Sequence, residues 1–265
     1  MKIANFFLLL GSISLLCCCG GGNGNEKIDF DKIEVKKQVN IDPKNPSSPK
    51  CDIDISVHSA AKNGNAIGKK IDSLLIDQLF MLQGDLTMRE AADSFANKYV
   101  YDYQHEFLSA YREASEDFKE TYNFVNHIKT EVEKGRNDII EYEAEVTMYE
   151  GGAHPLTVEI LMNFDPKTGK LLTLKDVFKP DSEAKLKELL INKLLKDTGK
   201  KNLHELNEEG FLLNTDIYPS ENFKFDDDEM VFLYNPYDIA PYVVGKIEIE
   251  LDYDDIKDIL SEDYR

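Results

Sequence analysis

The stretch "IIEYEAEVTMYEGGAHPLTVEILMNFDPKTG", residues 139–169, contains two alternating runs and two kinds of turn. From Ile139 to Tyr149 apolar and charged residues alternate, placing Tyr142, Ala144, Val146 and Met148 on one face of a strand with one wet side. Leu156 to Phe164 reads as the next strand. Asp165-Pro-Lys-Thr-Gly169 closes it with a turn in which proline presets φ and glycine accepts a positive value. Tyr149-Glu-Gly-Gly-Ala-His-Pro155 therefore lies between two antiparallel strands. Upstream, Thr121–Val132 also alternates and is followed by the turn 134–138, so the region reads as a β-meander.

Outward from this meander the pattern is mixed. Cys51, Ile53, Ile55 and Val57 alternate with Asp52, Asp54 and Ser56, which predicts another strand. Asn65 opens a helix with apolar residues at Ile67, Ile71, Leu74, Leu75, Leu79 and Phe80. Thr87 and Glu90 form a capping box ahead of a long helix to about Arg112, on which Phe95, Tyr99, Tyr103 and Phe107 read as core. Further on, a helix starts at Asp181 or Ser182 and ends at Gly199, and a short helical piece covers Leu203–Glu209. Short strands flank Asp226–Glu229, one strand runs from Lys246 to Leu251, and a last helix covers about Asp254–Leu260. The fold class is α+β, antiparallel β-meander sheets with packed helices. Two small domains are expected, 51–149 and 150–265.

The chain begins differently. Met1-Lys2 precedes an apolar run from Ile3 to Leu16 that is too short to span a bilayer and reads as a secretory signal, residues 1–18. Leu15-Leu16-Cys17-Cys18-Cys19-Gly20 resembles a bacterial lipoprotein box, with Cys18 or Cys19 as the lipidated residue. Buried acyl chains contribute ~0.8 kcal/mol per CH₂, enough for a stable anchor with two or three chains. Residues 19–50, rich in glycine, proline, serine and lysine, read as a flexible tether. Three of the four cysteines sit in the box, so no disulfide is expected within the folded part, and Cys51 reads as a small buried hydrophobe.

Acidic residues number 50 against 31 basic ones, a net charge of −19 over 265 residues that becomes one unit more negative when Lys2 leaves with the signal. Such a field repels nucleic acid and anionic membrane surfaces and attracts cationic proteins. The membrane is expected to be reached only through the N-terminal lipid. No metal or cofactor is expected: His58, His105, His127, His154 and His204 lack zinc-motif spacing, and the sequence has no nucleophile elbow, P-loop or dinucleotide fingerprint. Asp226–Glu229 lacks the alternating ligand spacing of a calcium loop and reads as a solvated turn. His154 could act as an acid or base, but a lone histidine without a partner motif is weak evidence for chemistry. The loop reading is that Gly151 and Gly152 turn the chain, Pro155 ends the ladder, and His154 braces the loop. Tyr234, Tyr237 and Tyr242, in the proline-braced segment 235–245, could present an aromatic contact surface. Together with Tyr149, Gly151, Gly152 and His154 they form the candidate binding surface.

Three motifs, residues 149–155, 163–178 and 232–245, resemble the paired domains of unknown function of RsiV-type lysozyme-sensing anti-sigma factors. Similar pairs precede some peptidoglycan deacetylase domains. The likeness is closest over residues 150–260. It implies an α+β binding module, not a catalyst, and a cationic partner such as lysozyme, or peptidoglycan. The 265 residues contain neither a sigma-binding segment nor a deacetylase domain, so neither activity is expected; a glycan hydrolase with an unrecognised carboxylate pair or His154 is the alternative. Metabolic labelling with an alkynyl fatty acid is expected to tag the parent chain. Replacement of both Cys18 and Cys19 by alanine should abolish the label.

Overall fold

A computed structural model describes residues 28–62 and 64–265; the signal and the lipidation candidates Cys18 and Cys19 lie outside them. The alternation from Cys51 folds as a strand, β2 (Lys50–Ser59), that buries Cys51, Ile53, Ile55 and Val57 on one face. Burial pushes the Cys51 thiol up to about 12, so it packs as an unreactive small hydrophobe.

Residues expected as tether are folded from Asp31 onward. β1 (Asp31–Asn40) pairs antiparallel with all of β2. The connection 41–49 is a built turn, with Ile41 fully buried, Asn40 Nδ2 donating to the Ser48 carbonyl at 2.7 Å, and the Asp42 amide donating to Ser48 Oγ at 3.2 Å. Proline, serine and asparagine suit such a turn as well as they suit a linker, which is why composition misled.

Two helices then cross over. α1 (Ala66–Phe80) starts at Asn65, whose side chain accepts the Gly68 amide, and α2 (Met88–Glu113) starts at the Thr87–Glu90 capping box. Asp72 of α1 is buried, accepts Ser59 Oγ and the Ala60 amide at 2.6 Å each, and so ties the helix to the end of β2. From α2, Arg89 and Gln104 donate to the Glu34 and Asn40 carbonyls of β1, covering part of that sheet edge. After the single turn α3 (Glu116–Lys119) the chain returns as β3 (Phe124–Lys134), parallel to β2. This departs from a purely antiparallel meander, and the long helical excursion makes it possible. β4 (Ile140–Tyr149) and β5 (Leu156–Phe164) complete an antiparallel-rich sheet of order β1-β2-β3-β4-β5. The expected domain boundary at residue 149/150 thus falls between two paired strands, because the glycine loop is a hairpin connection and not a linker.

The remaining chain builds a second core from α4 (Leu174–Val177), α5 (Glu183–Thr198), α6 (Leu203–Glu208) and a three-stranded antiparallel sheet. Its strands are β6 (Phe223–Phe225), β7 (Glu229–Tyr234) and β8 (Ile247–Asp252). Gly199 caps α5 in the left-handed region, φ 68°. The expected last helix is only the turn α7 (Tyr253–Ile256), since Leu260 leaves to bridge with Phe178.

The two cores meet along β5. Asn222 Oδ1 accepts the Leu161 amide at 2.6 Å while its Nδ2 donates to the Glu159 carbonyl at 2.8 Å. Asn235 repeats the pattern on the Glu159 amide and carbonyl, at 2.8 and 2.9 Å. Asn163 Nδ2 donates to the Phe223 carbonyl, and Glu141 Oε1 accepts the Phe225 amide at 2.9 Å. Burial pushes the Glu141 carboxyl up from 4.5 to about 7, against the lowering effect of that amide. A folded value above the unfolded one means that protonation stabilises the fold, so Glu141 makes stability fall as pH rises from about 4.5 to 7. Glu141→Gln is expected to exceed the parent in stability by about 1–2 kcal/mol at pH 8, after discounting for solvent screening, and to match it at pH 4. Denaturant titrations across that range measure the difference.

Candidate binding surface

The loop between β4 and β5 is shaped by its own residues. Gly151 and Gly152 adopt φ of 87° and 108°, values that side-chain-bearing residues rarely accept. A Cβ at Gly151 would also lie 3.1 Å from the Thr121 carbonyl oxygen. Tyr149 Oη donates to the Gly152 carbonyl at 3.0 Å. Glu150 reaches the other way and accepts Tyr99 Oη of α2 at 2.6 Å. Burial first, and then that carboxylate, holds the Tyr99 phenol well above its ordinary range.

His154 is exposed, and its ring stacks on Tyr242 with centroids 3.6 Å apart and planes 16° apart. Its Nδ1 lies 3.1 Å from the Pro155 carbonyl oxygen, which can only accept, so Nδ1 carries the proton. Tyr242 Oη donates to the same carbonyl at 2.8 Å. The loop is thereby fastened to the segment 235–245. In that segment Tyr237 takes φ 77°, costly for a bulky residue, and is held by its amide donating to the Ala240 carbonyl at 3.1 Å. Tyr237 is 61% exposed, and its ring centroid sits 5.6 Å from that of Tyr242. Val243, 90% exposed, and Val244 follow on the outside. At the foot of the patch Lys246 pairs with Glu159 at 2.6 Å and with Glu248 at 3.1 Å.

The arrangement is an exposed aromatic and aliphatic surface on a fixed backbone. His154 spends one ring nitrogen on its own loop and one face on Tyr242, the bracing geometry expected of it. Among the described residues no three histidine, cysteine or acidic side chains are placed to hold a metal ion. No helix among them is long and apolar enough to cross a membrane.

Residues 175–254 match the model of a family described as "Protein of unknown function (DUF3298)". The chain carries a DUF3298 domain. A crystal structure of a DUF3298 family member from Bacteroides fragilis NCTC 9343 matches with a TM-score of 0.80 and 26% identity, covering 88% of this chain and 94% of that one. Another, of a DUF3298 family protein from Pseudomonas aeruginosa PAO1, matches with a TM-score of 0.61 and 14% identity over 91% and 97%. That second likeness concerns the fold alone. No curated protein matches the chain.

The DUF3298 domain supplies Tyr237, Tyr242, Val243 and Val244, while residues 149–155 belong to the sheet that precedes it. Six of the seven surface candidates, Tyr149, Gly151, Gly152, His154, Tyr237 and Tyr242, come together. Tyr234 does not: it is fully buried in β7 and donates its hydroxyl to the Tyr218 carbonyl at 2.5 Å. β7 is covered on both faces, so Met230 to Tyr234 are all buried and alternation gives no warning. Val243 and Val244 were not singled out from sequence; their signal is a pair of valines outside any periodic run, just before Gly245. Tyr242→Phe is expected to cost about 1 kcal/mol or less and to speed amide exchange in residues 150–154, leaving β2 and β3 protected. Hydrogen exchange read by mass spectrometry tests this.

Proposed function

We propose that the protein is a lipid-anchored binding protein of the cell envelope that performs no chemistry of its own. Its contact surface is the patch formed by residues 149–155 and 235–245. The observation that carries this reading is the convergence of two motif segments, distant in sequence, on one exposed surface whose backbone is pinned while Tyr237 and Val243 stay outward. Rigid, exposed aromatic side chains surrounded by polar groups are the usual anchors of protein recognition.

The sharpest candidate for the partner is a cationic protein such as lysozyme, with peptidoglycan as the cell-wall alternative. The net charge of −19 supports the cationic partner, and the motif resemblance to RsiV-type sensors points the same way. A hydrolase using His154 finds less support, because that ring is engaged with Tyr242 and the Pro155 carbonyl.

Titrating the chain from residue 26 onward with lysozyme, beside an unrelated protein of equal charge, tests the reading. Selective binding that persists at physiological salt, where charge attraction is screened over ~8 Å, and that drops at least tenfold in Tyr237→Ala or Val243→Ala, is the expected result. Equal binding to both proteins, or binding untouched by those substitutions, would refute it.

A further inference from the structure

A second place in the molecule carries chemistry that the aromatic patch does not use. On the outer face of the large sheet, Glu133 stands directly across from Glu141, and Glu131 across from Glu143. Like charges in direct cross-strand pairs are destabilising. Glu131 is relieved by Lys129 at 2.8 Å; Glu133, Glu141 and Glu143 form no ion pair among the described residues. These side chains line a cleft of about 130 Å³ closed on one side by Lys224 of β6, which makes no ion pair with them.

Asn163, the cross-strand partner of Glu141, also lines this cleft. It is 1% exposed; its Nδ2 is committed to the Phe223 carbonyl at 2.6 Å, and its Oδ1 has no hydrogen-bond partner among the described residues. An acceptor so deeply buried calls for a donor. One oxygen of Glu141 takes the Phe225 amide, and the other has no hydrogen bond among the described residues. The cleft thus offers unfilled acceptors from Asn163, Glu141 and Glu143, with an apolar wall from Leu161.

We propose that this cleft binds the primary ammonium group of an alkylamine, either a free amine or a lysine side chain. An ammonium carries three N–H donors and a positive charge on a methylene stem, which matches acceptors, carboxylates and apolar wall together. A bare divalent ion fits less well: no three acidic, histidine or cysteine groups converge on a point, and the cleft is larger than an ion needs. The site lies toward the Asn163 end of β5, away from the loop that precedes Leu156, so it stands or falls independently of the aromatic patch.

Deprotonated Glu141 is required for the charge match, and its carboxyl is pushed up to about 7 by burial. The charged groups facing it are Glu133 from β3, Glu143 from its own strand, Lys224 from β6 and Asp226 from the following turn, with Arg136 and Tyr253 nearby. Amine binding is therefore expected to strengthen from pH 6 to pH 8.

Calorimetric titration of the purified protein with n-propylammonium, Nα-acetyl-lysine N-methylamide, tetramethylammonium and calcium, at fixed ionic strength, tests the proposal. The expected result is saturable binding of one or both primary amines and none of tetramethylammonium. Propylammonium alone would mark a site for free amines, and binding of both would admit a lysine side chain. Glu143→Gln, in the cleft lining, should weaken binding at least tenfold, while Glu113→Gln and Tyr237→Ala leave it unchanged. Equal response to tetramethylammonium, binding of calcium alone, no binding, or full binding by folded Glu143→Gln would overturn it.

Discussion

The architecture turns on how the outer edge of β5 is satisfied. A sheet edge presents backbone donors and acceptors that must find partners or water. Here the side-chain amides of Asn222 and Asn235 take the place of a sixth strand, each offering one donor and one acceptor to the Glu159 and Leu161 backbone. The same contacts seat the second core on the first. Ile139 packs in one core and Ile140 in the other, so the start of β4 belongs to both. The cleft beside Asn163 and the placement of segment 235–245 follow from that docking, since Asn222 precedes β6 and Asn235 follows β7 directly.

Much of the secondary structure was legible because local signals agreed. Asn65, the Thr87–Glu90 box and Gly199 mark helix ends through hydrogen bonds or backbone conformation that depend on nearby residues. The alternation in residues 140–148 survives because one face of the strand is buried in the first core while the other carries glutamates that are only partly covered. Where structure depends on distant partners, the signals failed. β1 is an edge strand whose apolar face is only Ile33, Val35 and Val39, set among lysines, and it reads as a tether until β2 is placed beside it. The parallel pairing of β2 with β3 is likewise a property of the crossover and not of either strand.

The functional surfaces divide the same way. Gly151, Gly152, His154 and Pro155 announce a special loop by residue type, and the proline-braced segment identifies Tyr237 and Tyr242. Tyr234, only three residues from Tyr237, belongs to the core because β7 is covered on both sides. The acidic cleft was invisible: glutamates alternating with apolar residues look like any solvated face until β6 is laid across them.

The surrogate strand made by Asn222 and Asn235 also bears on the order of assembly. The β1–β2 and β4–β5 hairpins join neighbouring segments, whereas β3 reaches β2 only after the chain between residues 59 and 124 has closed back, a slow class of contact. The two asparagine amides have no partners until Glu159 and Leu161 are held in a strand against β4. Docking of the C-terminal core through these amides therefore requires the β4–β5 hairpin to be in place. A chain stalled before it would carry an open strand edge, the species on which aggregation begins.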